Sequence, residues 1–179
     1  MVESPATRRL GFRALFIGIA AIIIFFRILP LSTLPPRWPG PELLLCLTVV
    51  WVLRRPDYVP ALLIAGVFLI DDLLALRPPG LWALIVLLGT EFLRSRENST
   101  RDLPFFAEWM MAGGVIAVMT LANSFVHFLF MIPQASFGQV TVQLVATLMA
   151  YPFLALAMQL AFGLRRAATG EVDALGQRL

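Results

Sequence analysis

Two adjacent carboxylates, Asp71 and Asp72, interrupt an otherwise apolar stretch of this chain and offer its strongest functional signal. An ionisable group inside hydrocarbon is costly to insert, so it is rarely without a role. The sequence contains no His-Glu-x-x-His pair, Walker loop, Gly-rich dinucleotide turn or Cys/His cluster that would supply catalysis or hold a metal. The acidic pair therefore favours contact between helices or proteins over chemistry, and we expect no cofactor.

Arg27 is the predicted partner of this acidic pair. It lies about 21 Å along its helix from the predicted cytoplasmic boundary, at a depth similar to that of Asp72. We therefore hypothesise an interhelical ion pair between Arg27 and Asp71 or Asp72, because pairing is the usual way a membrane tolerates such groups. In the simpler and commoner alternative, Arg27 and Arg77 extend outward to the interface and the aspartates contact interfacial water.

Helical geometry distinguishes the two aspartates. Adjacent residues of a helix point about 100° apart, so only one of them can face a given neighbour. Asp72 follows Ala61, Ala65 and Phe68 at helical spacing, and small residues favour close helix contact. We therefore predict that Asp72 faces a neighbouring helix and that Asp71 faces the outer interface.

A second polar stripe comprises Gly113, Ala117, Thr120, Ser124 and His127, spaced so that all five share one side of a helix. The favoured interpretation is a seam of small residues with hydroxyls bonding across helices. The alternative makes Ser124 and His127 a nucleophile and its base, since residues three apart on a helix can touch. No Gly-x-Ser-x-Gly elbow accompanies them, so we predict no catalytic residues.

The remaining ionisable or reactive residues in the apolar runs predict no chemistry. Glu42, Glu91 and Glu108 lie at the ends of runs, where carboxylates can reach water. Cys46 is the single cysteine, so an internal disulfide is impossible and a metal cluster is improbable.

Composition places the chain in a membrane. Apolar residues make up 59% of it and charged residues 14%, and the mean hydropathy is +0.84, values too apolar for a soluble domain. The net charge of +3 comes from arginines that separate apolar runs without forming one basic face. We therefore predict an all-α integral membrane protein with no nucleic-acid partner.

Six apolar segments predict a six-transmembrane-helix bundle that forms a single domain over residues 1–179. The second segment covers only about 20 Å of a bilayer core of about 30 Å, so it must be extended by Trp38 or lie where the bilayer is thin. The predicted spans are approximately residues 12–31, 40–53, 58–76, 81–93, 103–131 and 140–164.

The loops predict the orientation of the bundle. Eleven of the 14 arginines fall in the two tails and in the loops between spans two and three and between spans four and five. The opposite loops carry only Arg37 and Arg77. By the positive-inside rule, both termini are cytoplasmic.

An ordered run of motifs extends over about residues 25–93 and includes Trp38-Pro39, Leu43-Leu44-Leu45, Trp51-x-Leu53, Arg55-Pro56, Asp72-Leu73 and Gly80-Leu81-x-Ala83-Leu84. This run resembles the MreD family, the small rod-shape-determining membrane proteins of walled bacteria. Beyond Glu91 the resemblance rests on the number, length and orientation of the spans. Two features depart from the family pattern: Phe68 and Leu69 replace a Gly-rich patch, and the turn at Arg77-Pro78-Pro79 is stiffer and basic.

The resemblance implies a non-enzymatic subunit of the cell-elongation machinery in the bacterial inner membrane. Family members associate with the single-span protein MreC, with the actin-like MreB filament, and with the glycosyltransferase and transpeptidase of lateral peptidoglycan synthesis. Their design is similar to that of the six-helix substrate-binding subunits of energy-coupling-factor transporters. Trp51, Arg55, Pro56, Asp72 and Gly80 match the family run, which implies structural or partner-contact roles for them.

Two other functions remain open from the residues alone. The first is a small solute-binding or transport subunit in which Asp72, Arg27 and the polar stripe line a pocket near the outer face. The second is an intramembrane hydrolase, whose only support is the spacing of Ser124 and His127. A scaffold that binds a partner's transmembrane helix fits best, because the chain has almost no extramembrane mass and an arginine-rich cytoplasmic face that could meet anionic lipid.

Overall fold

The computed structural model describes residues 5–29, 39–96, 104–133 and 135–162. These residues form six α-helices, a short 3-10 turn at Pro56–Tyr58 and no strand, so the all-α prediction is confirmed for this part of the chain. Each helix overlaps one predicted segment, although the first begins earlier than expected. The helices are α1 (Pro5–Ile28), α2 (Leu43–Arg54), α3 (Ala61–Leu74), α4 (Leu81–Ser95), α5 (Phe105–Leu129) and α6 (Phe137–Phe162).

Successive helices run in alternating directions, and polar side chains meet at both ends of the bundle. At one end, which we call the Asp71 end, Asp71 lies beside side chains from α1 and from the start of α2. At the opposite end, the Arg54 end, Arg54 of α2 lies beside Glu108 of α5 and Gln159 of α6. The two polar regions are separated by the apolar core.

Helix α2 lies at the centre of this core. All of its 12 residues except Leu43 are buried, and it contacts α1, α4 and α6. At about 1.5 Å per residue it is only about 18 Å long, shorter than a bilayer core. Its neighbours cover it, so its backbone and side chains meet protein and not lipid. Coverage by other helices is a further way to accommodate so short a segment. The predicted extension by Trp38 falls outside the described residues.

Three of the described helices are long and apolar enough to cross a membrane. They are Thr7–Ile28 within α1, together with α5 and α6. Helices α3 and α4 have 14 and 15 residues, and α4 packs between α2, α3 and α5. Large apolar side chains such as Leu62 and Leu160 are exposed on the outside. By length and composition, the predicted transmembrane character is confirmed for the three long helices.

A proline inside α6 creates one specific contact between α5 and α6. Pro152 has no backbone N–H, so the carbonyl of Leu148, four residues earlier, lacks its usual helical donor. The indole Nε1–H of Trp109 in α5 donates to this carbonyl at 3.0 Å. The side chain of one helix therefore satisfies a backbone group that the other helix leaves open.

We expect Trp109→Phe to lower the free energy of unfolding by about 1–2 kcal/mol, because the Leu148 carbonyl then stays unsatisfied in an apolar environment. Adding Pro152→Ala to this variant restores a helical N–H donor and should recover most of the loss. Chemical denaturation of the purified chain in detergent measures both changes. Equal stability of Trp109→Phe and the native chain would contradict this account of the contact.

Candidate functional site

Asp71, in the last turn of α3, is 1% exposed and forms ion pairs with two arginines. Its Oδ2 lies 3.2 Å from Nη1 of Arg27 and 3.2 Å from Nη2 of Arg77. Arg27 comes from the last turn of α1, whereas Arg77 follows α3 directly. The hypothesised interhelical pair therefore forms between Arg27 and Asp71, and both arginines are turned toward this buried carboxylate.

Glu42 extends the pair into a cluster that joins four helices. Its carboxylate accepts hydrogen bonds from Nη2 of Arg27 at 3.1 Å and from Nε2 of Gln143 at 3.1 Å. Its backbone N–H donates to Oγ1 of Thr147 at 3.0 Å, and Arg77 lies 4.0 Å from its carboxylate. Through Glu42, the end of α1 is held to the start of α2 and to α6. We call these groups, with Asp71, the outer ion cluster.

The end of α3 positions Arg77 for this cluster. Leu76 adopts a left-handed conformation with φ of 53°, and the Arg77 N–H donates to the Asp72 carbonyl at 3.0 Å. A second hydrogen bond, which spans fewer residues, runs from the Leu76 N–H to the carbonyl of Leu73 at 3.4 Å. This pair of bonds is the Schellman arrangement, here with leucine where glycine is usual. The chain reverses at once, so the Arg77 side chain returns to the helix that precedes it.

Asp72 faces a neighbouring helix, as predicted, and there it accepts hydrogen bonds from the backbone. It is fully buried, and its Oδ2 accepts hydrogen bonds from the backbone N–H groups of Gly80 at 3.1 Å and Ala83 at 3.2 Å. Gly80 has φ of 88°, a conformation that favours glycine. Asp72 thus caps the N-terminus of α4, where the first N–H groups of a helix need acceptors.

The hypothesised pairing of Arg27 with Asp71 or Asp72 is therefore made by Asp71, and Asp72 faces a neighbouring helix as predicted. The prediction that Asp71 faces the outer interface is wrong, because Asp71 is 1% exposed. Asp71 is the buried ion-paired residue, and Asp72 faces α4 as a capping group. The small-residue stripe does identify a close contact, because α3 packs against α4. It did not reveal that the contact ends in a helix N-terminus that requires an oxygen acceptor.

A cavity of about 90 Å³ lies among α2, α4, α5 and α6 beside the outer ion cluster. Glu42 and Arg77 form part of its lining, together with polar side chains of the last two helices. Trp82 and Asn123 also line it, and each keeps one buried polar atom without a hydrogen-bond partner in the described structure. The cavity is polar and large enough to hold a few water molecules.

The polar stripe of α5 divides into two parts. A methyl group on Gly113 would approach Leu148 of α6 to 3.0 Å, so this part is a close-packing position, as the favoured interpretation predicted. Thr120 and Ser124 line the polar cavity. No hydrogen bond joins Ser124 to His127 among the described residues. His127 lies in the last turn of α5, where its carbonyl accepts a hydrogen bond from the Ile132 N–H at 2.9 Å. The stripe therefore forms a packing surface and part of a cavity wall, and Ser124 and His127 are not hydrogen-bonded as a nucleophile and its base would be.

The Arg54 end contains a buried cluster that sequence reasoning missed. Glu108 is 3% exposed, and its Oε1 accepts a hydrogen bond from the Tyr151 hydroxyl at 2.8 Å and lies 3.8 Å from Nε of Arg54. Arg54 also donates to Oε1 of Gln159 at 3.3 Å. The expectation that Glu108 reaches water is wrong. Glu91 does stay at the surface, where it pairs with Arg94.

The other family-run residues build the connection between α2 and α3. Trp51 is fully buried and meets the ring of Phe12 from α1. Pro56, just after Arg55, is buried, and its carbonyl accepts a hydrogen bond from Arg94 of α4 at 3.2 Å. These contacts give Trp51 and Pro56 structural positions in the bundle.

The arrangement of charges favours holding helices together over chemistry. Each carboxylate of the outer ion cluster contacts a guanidinium group, and Asp72 contacts backbone donors. Among the described residues, no group of three histidine, cysteine or acidic side chains has the geometry of a metal site. Over the described residues, the fold and the site together define an all-helical protein with three helices long and apolar enough to span a membrane and a polar cluster at each end.

Comparison with known proteins adds no relative: no family model, curated protein or solved structure matches this chain.

The capping role of Asp72 predicts which substitutions the protein tolerates. Asp72→Asn keeps an oxygen acceptor at the α4 N-terminus, so its stability should stay close to that of the native chain. Asp72→Ala leaves the half-buried N–H of Gly80 and the buried N–H of Ala83 without an acceptor and should cost about 2 kcal/mol. Denaturation in detergent compares the two variants. A large loss for Asp72→Asn with the same loss for Asp72→Ala would mean that the charge, and not the cap, is required.

The buried cluster at the Arg54 end predicts a non-additive pair of mutations. Glu108→Leu leaves the Arg54 guanidinium without its carboxylate and should cost about 3 kcal/mol or more. The double variant Arg54→Leu/Glu108→Leu replaces both charges with apolar groups and should regain most of that loss. Thermal unfolding of the three purified chains measures the coupling. Additive losses would show that the two residues do not act as a pair.

Proposed function

We propose that this chain is a multi-pass membrane scaffold of the bacterial cell-elongation machinery, similar to MreD, that binds the transmembrane helix of MreC. In this role it positions lateral peptidoglycan synthesis, with MreB, the glycosyltransferase and the transpeptidase as indirect partners. The proposal follows from the resemblance of residues 25–93 to that family. The observation that supports it most is an open apolar groove on the outer surface of α1 and α3.

This groove, which we call the α1–α3 groove, has a volume of about 310 Å³ and an almost wholly apolar lining. Ala20 and Ala21 contribute small side chains, and Ile24, Val67 and Ile70 form the walls. Helices associate in lipid where small residues allow close approach and apolar side chains interdigitate. A single partner helix is the occupant that this shape and chemistry suit.

The proposed topology has six spans with both termini in the cytoplasm of the inner membrane. The arginine-rich loops belong to the Arg54 end, which is then cytoplasmic, whereas the outer ion cluster lies toward the opposite interface. The short helices α2, α3 and α4 are tolerated because neighbouring helices cover much of their surface. Cysteine accessibility on each side of the membrane tests this orientation.

A solute-binding subunit is the second candidate, and the polar cavity beside the outer ion cluster favours it. The cavity of about 90 Å³ has room for only a very small solute. Its charged lining residues, Glu42 and Arg77, are already paired within the outer ion cluster, to Arg27 and Asp71. Stabilisation of the purified protein by one small solute, abolished by Ser124→Phe, would support this candidate over the scaffold.

Photocrosslinking in cells tests the scaffold. A photoreactive residue at Ala21 should capture MreC, whereas the same residue at Leu160, exposed on α6, should not. Ala21→Trp should fill the α1–α3 groove, reduce the captured MreC and round the cells, while Leu160→Trp leaves capture and rod shape unchanged. Normal rod shape after deletion of the gene, with no MreC captured at Ala21, would refute the proposal.

A further inference from the structure

A second groove opens between α1 and α2 at the Asp71 end and differs in character from the α1–α3 groove. It has a volume of about 640 Å³. Its walls are largely apolar, but Arg27, Glu42 and Asp71 also line it. We call it the α1–α2 groove.

Polarity in the α1–α2 groove is graded along the helix direction. Arg27 lies in the last turn of the 24-residue α1, and Glu42 immediately precedes α2. The apolar lining includes Ile22 and Ile23, about one turn before Arg27 in α1, and Leu43 and Leu44, which follow Glu42 directly in α2. A 24-residue helix is about 36 Å long and exceeds a bilayer core of about 30 Å, so the long Arg27 side chain in its last turn can reach the lipid head groups while Ile22 and Ile23 face the acyl chains. The groove therefore has a polar end at the interface and an apolar end inside the bilayer.

The polar end of the groove presents charges of both signs, from Arg27 and from the carboxylates of Glu42 and Asp71. The outer ion cluster contains two guanidinium groups, of Arg27 and Arg77, and two carboxylates, of Glu42 and Asp71. An anionic ligand in the groove would meet both carboxylates, and a cation would meet Arg27. A ligand that carries one charge of each sign complements both kinds of group.

Hydrogen-bonding capacity remains for such a ligand. A guanidinium has five N–H donors, and the bonds of Arg27 to Glu42 and Asp71 engage three of them. A carboxylate offers about four acceptor positions, and Arg27 and Gln143 occupy three on Glu42. The Arg27 side chain is 35% exposed and that of Glu42 is 16% exposed, so both can be reached from the groove.

We propose that the α1–α2 groove binds one phospholipid whose zwitterionic head group carries a primary ammonium, as phosphatidylethanolamine does. The phosphate accepts hydrogen bonds from Arg27, the ammonium donates to Glu42, and an acyl chain lies along Ile22, Ile23 and Leu43. The inference depends on α1 crossing the membrane and not on MreC or on any role in wall synthesis. The bound lipid would act as part of the structure at the junction of α1, α2 and α3.

The test compares three lipids with identical acyl chains on the full-length protein purified in detergent. Native mass spectrometry should retain one phosphatidylethanolamine per chain, with an affinity about tenfold higher than for phosphatidylcholine, whose quaternary ammonium has no N–H to donate. Phosphatidylglycerol, which is anionic, should also bind more weakly. Thermal unfolding midpoints should rise in the same order.

Two pairs of variants locate the site. Glu42→Gln should abolish the preference for phosphatidylethanolamine. Glu91 is a surface carboxylate paired with Arg94, so the matched variant Glu91→Gln should leave that preference unchanged. Ile22→Trp fills the α1–α2 groove and should weaken retention of the lipid. Ile17 lies on another face of α1 and lines only the α1–α3 groove, so the control variant Ile17→Trp should retain the lipid as the native chain does. Because Ile22→Trp leaves the ion cluster in place, it tests the site even if Glu42→Gln fails to fold.

Three outcomes would overturn the proposal. The first is equal retention of all three lipids, which would indicate unselective solvation of the apolar surface. The second is unchanged lipid preference in both Glu42→Gln and Ile22→Trp. The third is capture of a protein and not of phospholipid by a photoreactive residue at position 22 in cells. MreC binding at Ala21 can fail while lipid selectivity persists, so this test is independent of the proposed scaffold function.

Discussion

The outer ion cluster fixes how the first three helices meet. A carboxylate as buried as Asp71 is tolerated in a low-dielectric environment only if charged donors surround it. Arg27 and Arg77 supply those donors, one from a distant helix and one from the turn that follows α3. Because Glu42 shares Arg27, the same interaction also sets the start of α2 against the end of α1. The position of α1, and with it the shape of both surface grooves, depends on this charge balance.

The Arg54 end applies the same principle with different residues. Arg54 and Glu108 are buried together, and the Tyr151 hydroxyl binds the same carboxylate. Helix α2 therefore carries a polar contact at each end and an apolar surface between them. Its register relative to α5 and α6 is specified by polar pairs, since the apolar residues between them could slide with little cost. A short central helix can be held in this way although it is too short to span a bilayer by itself.

The helices were predictable from sequence, whereas the pairing of their polar side chains was predictable only in part. Apolar runs and their separators located six helices because those signals are local. The Arg27 pairing followed from depth, but depth could not separate Asp71 from Asp72. Which aspartate pairs with Arg27 depends on where α4 begins, because the first N–H groups of α4 donate to Asp72 and leave Asp71 for the arginines. Glu108 was interpreted as exposed because nothing near it in sequence indicates the partner Arg54. Arg54 becomes its neighbour only when α2 packs against α6 and the Arg54 side chain reaches α5.

Pro152 has a consequence for how the chain assembles in a membrane. Before α5 and α6 associate, the Leu148 carbonyl would lack a hydrogen-bond donor within the hydrocarbon core, because no water is present there to supply one. The indole of Trp109 removes that defect when the two helices associate. Insertion of α5 and α6 as a joined hairpin is thereby favoured over insertion one after the other. A proline, usually regarded as a helix breaker, thus makes the insertion of α6 depend on its association with α5.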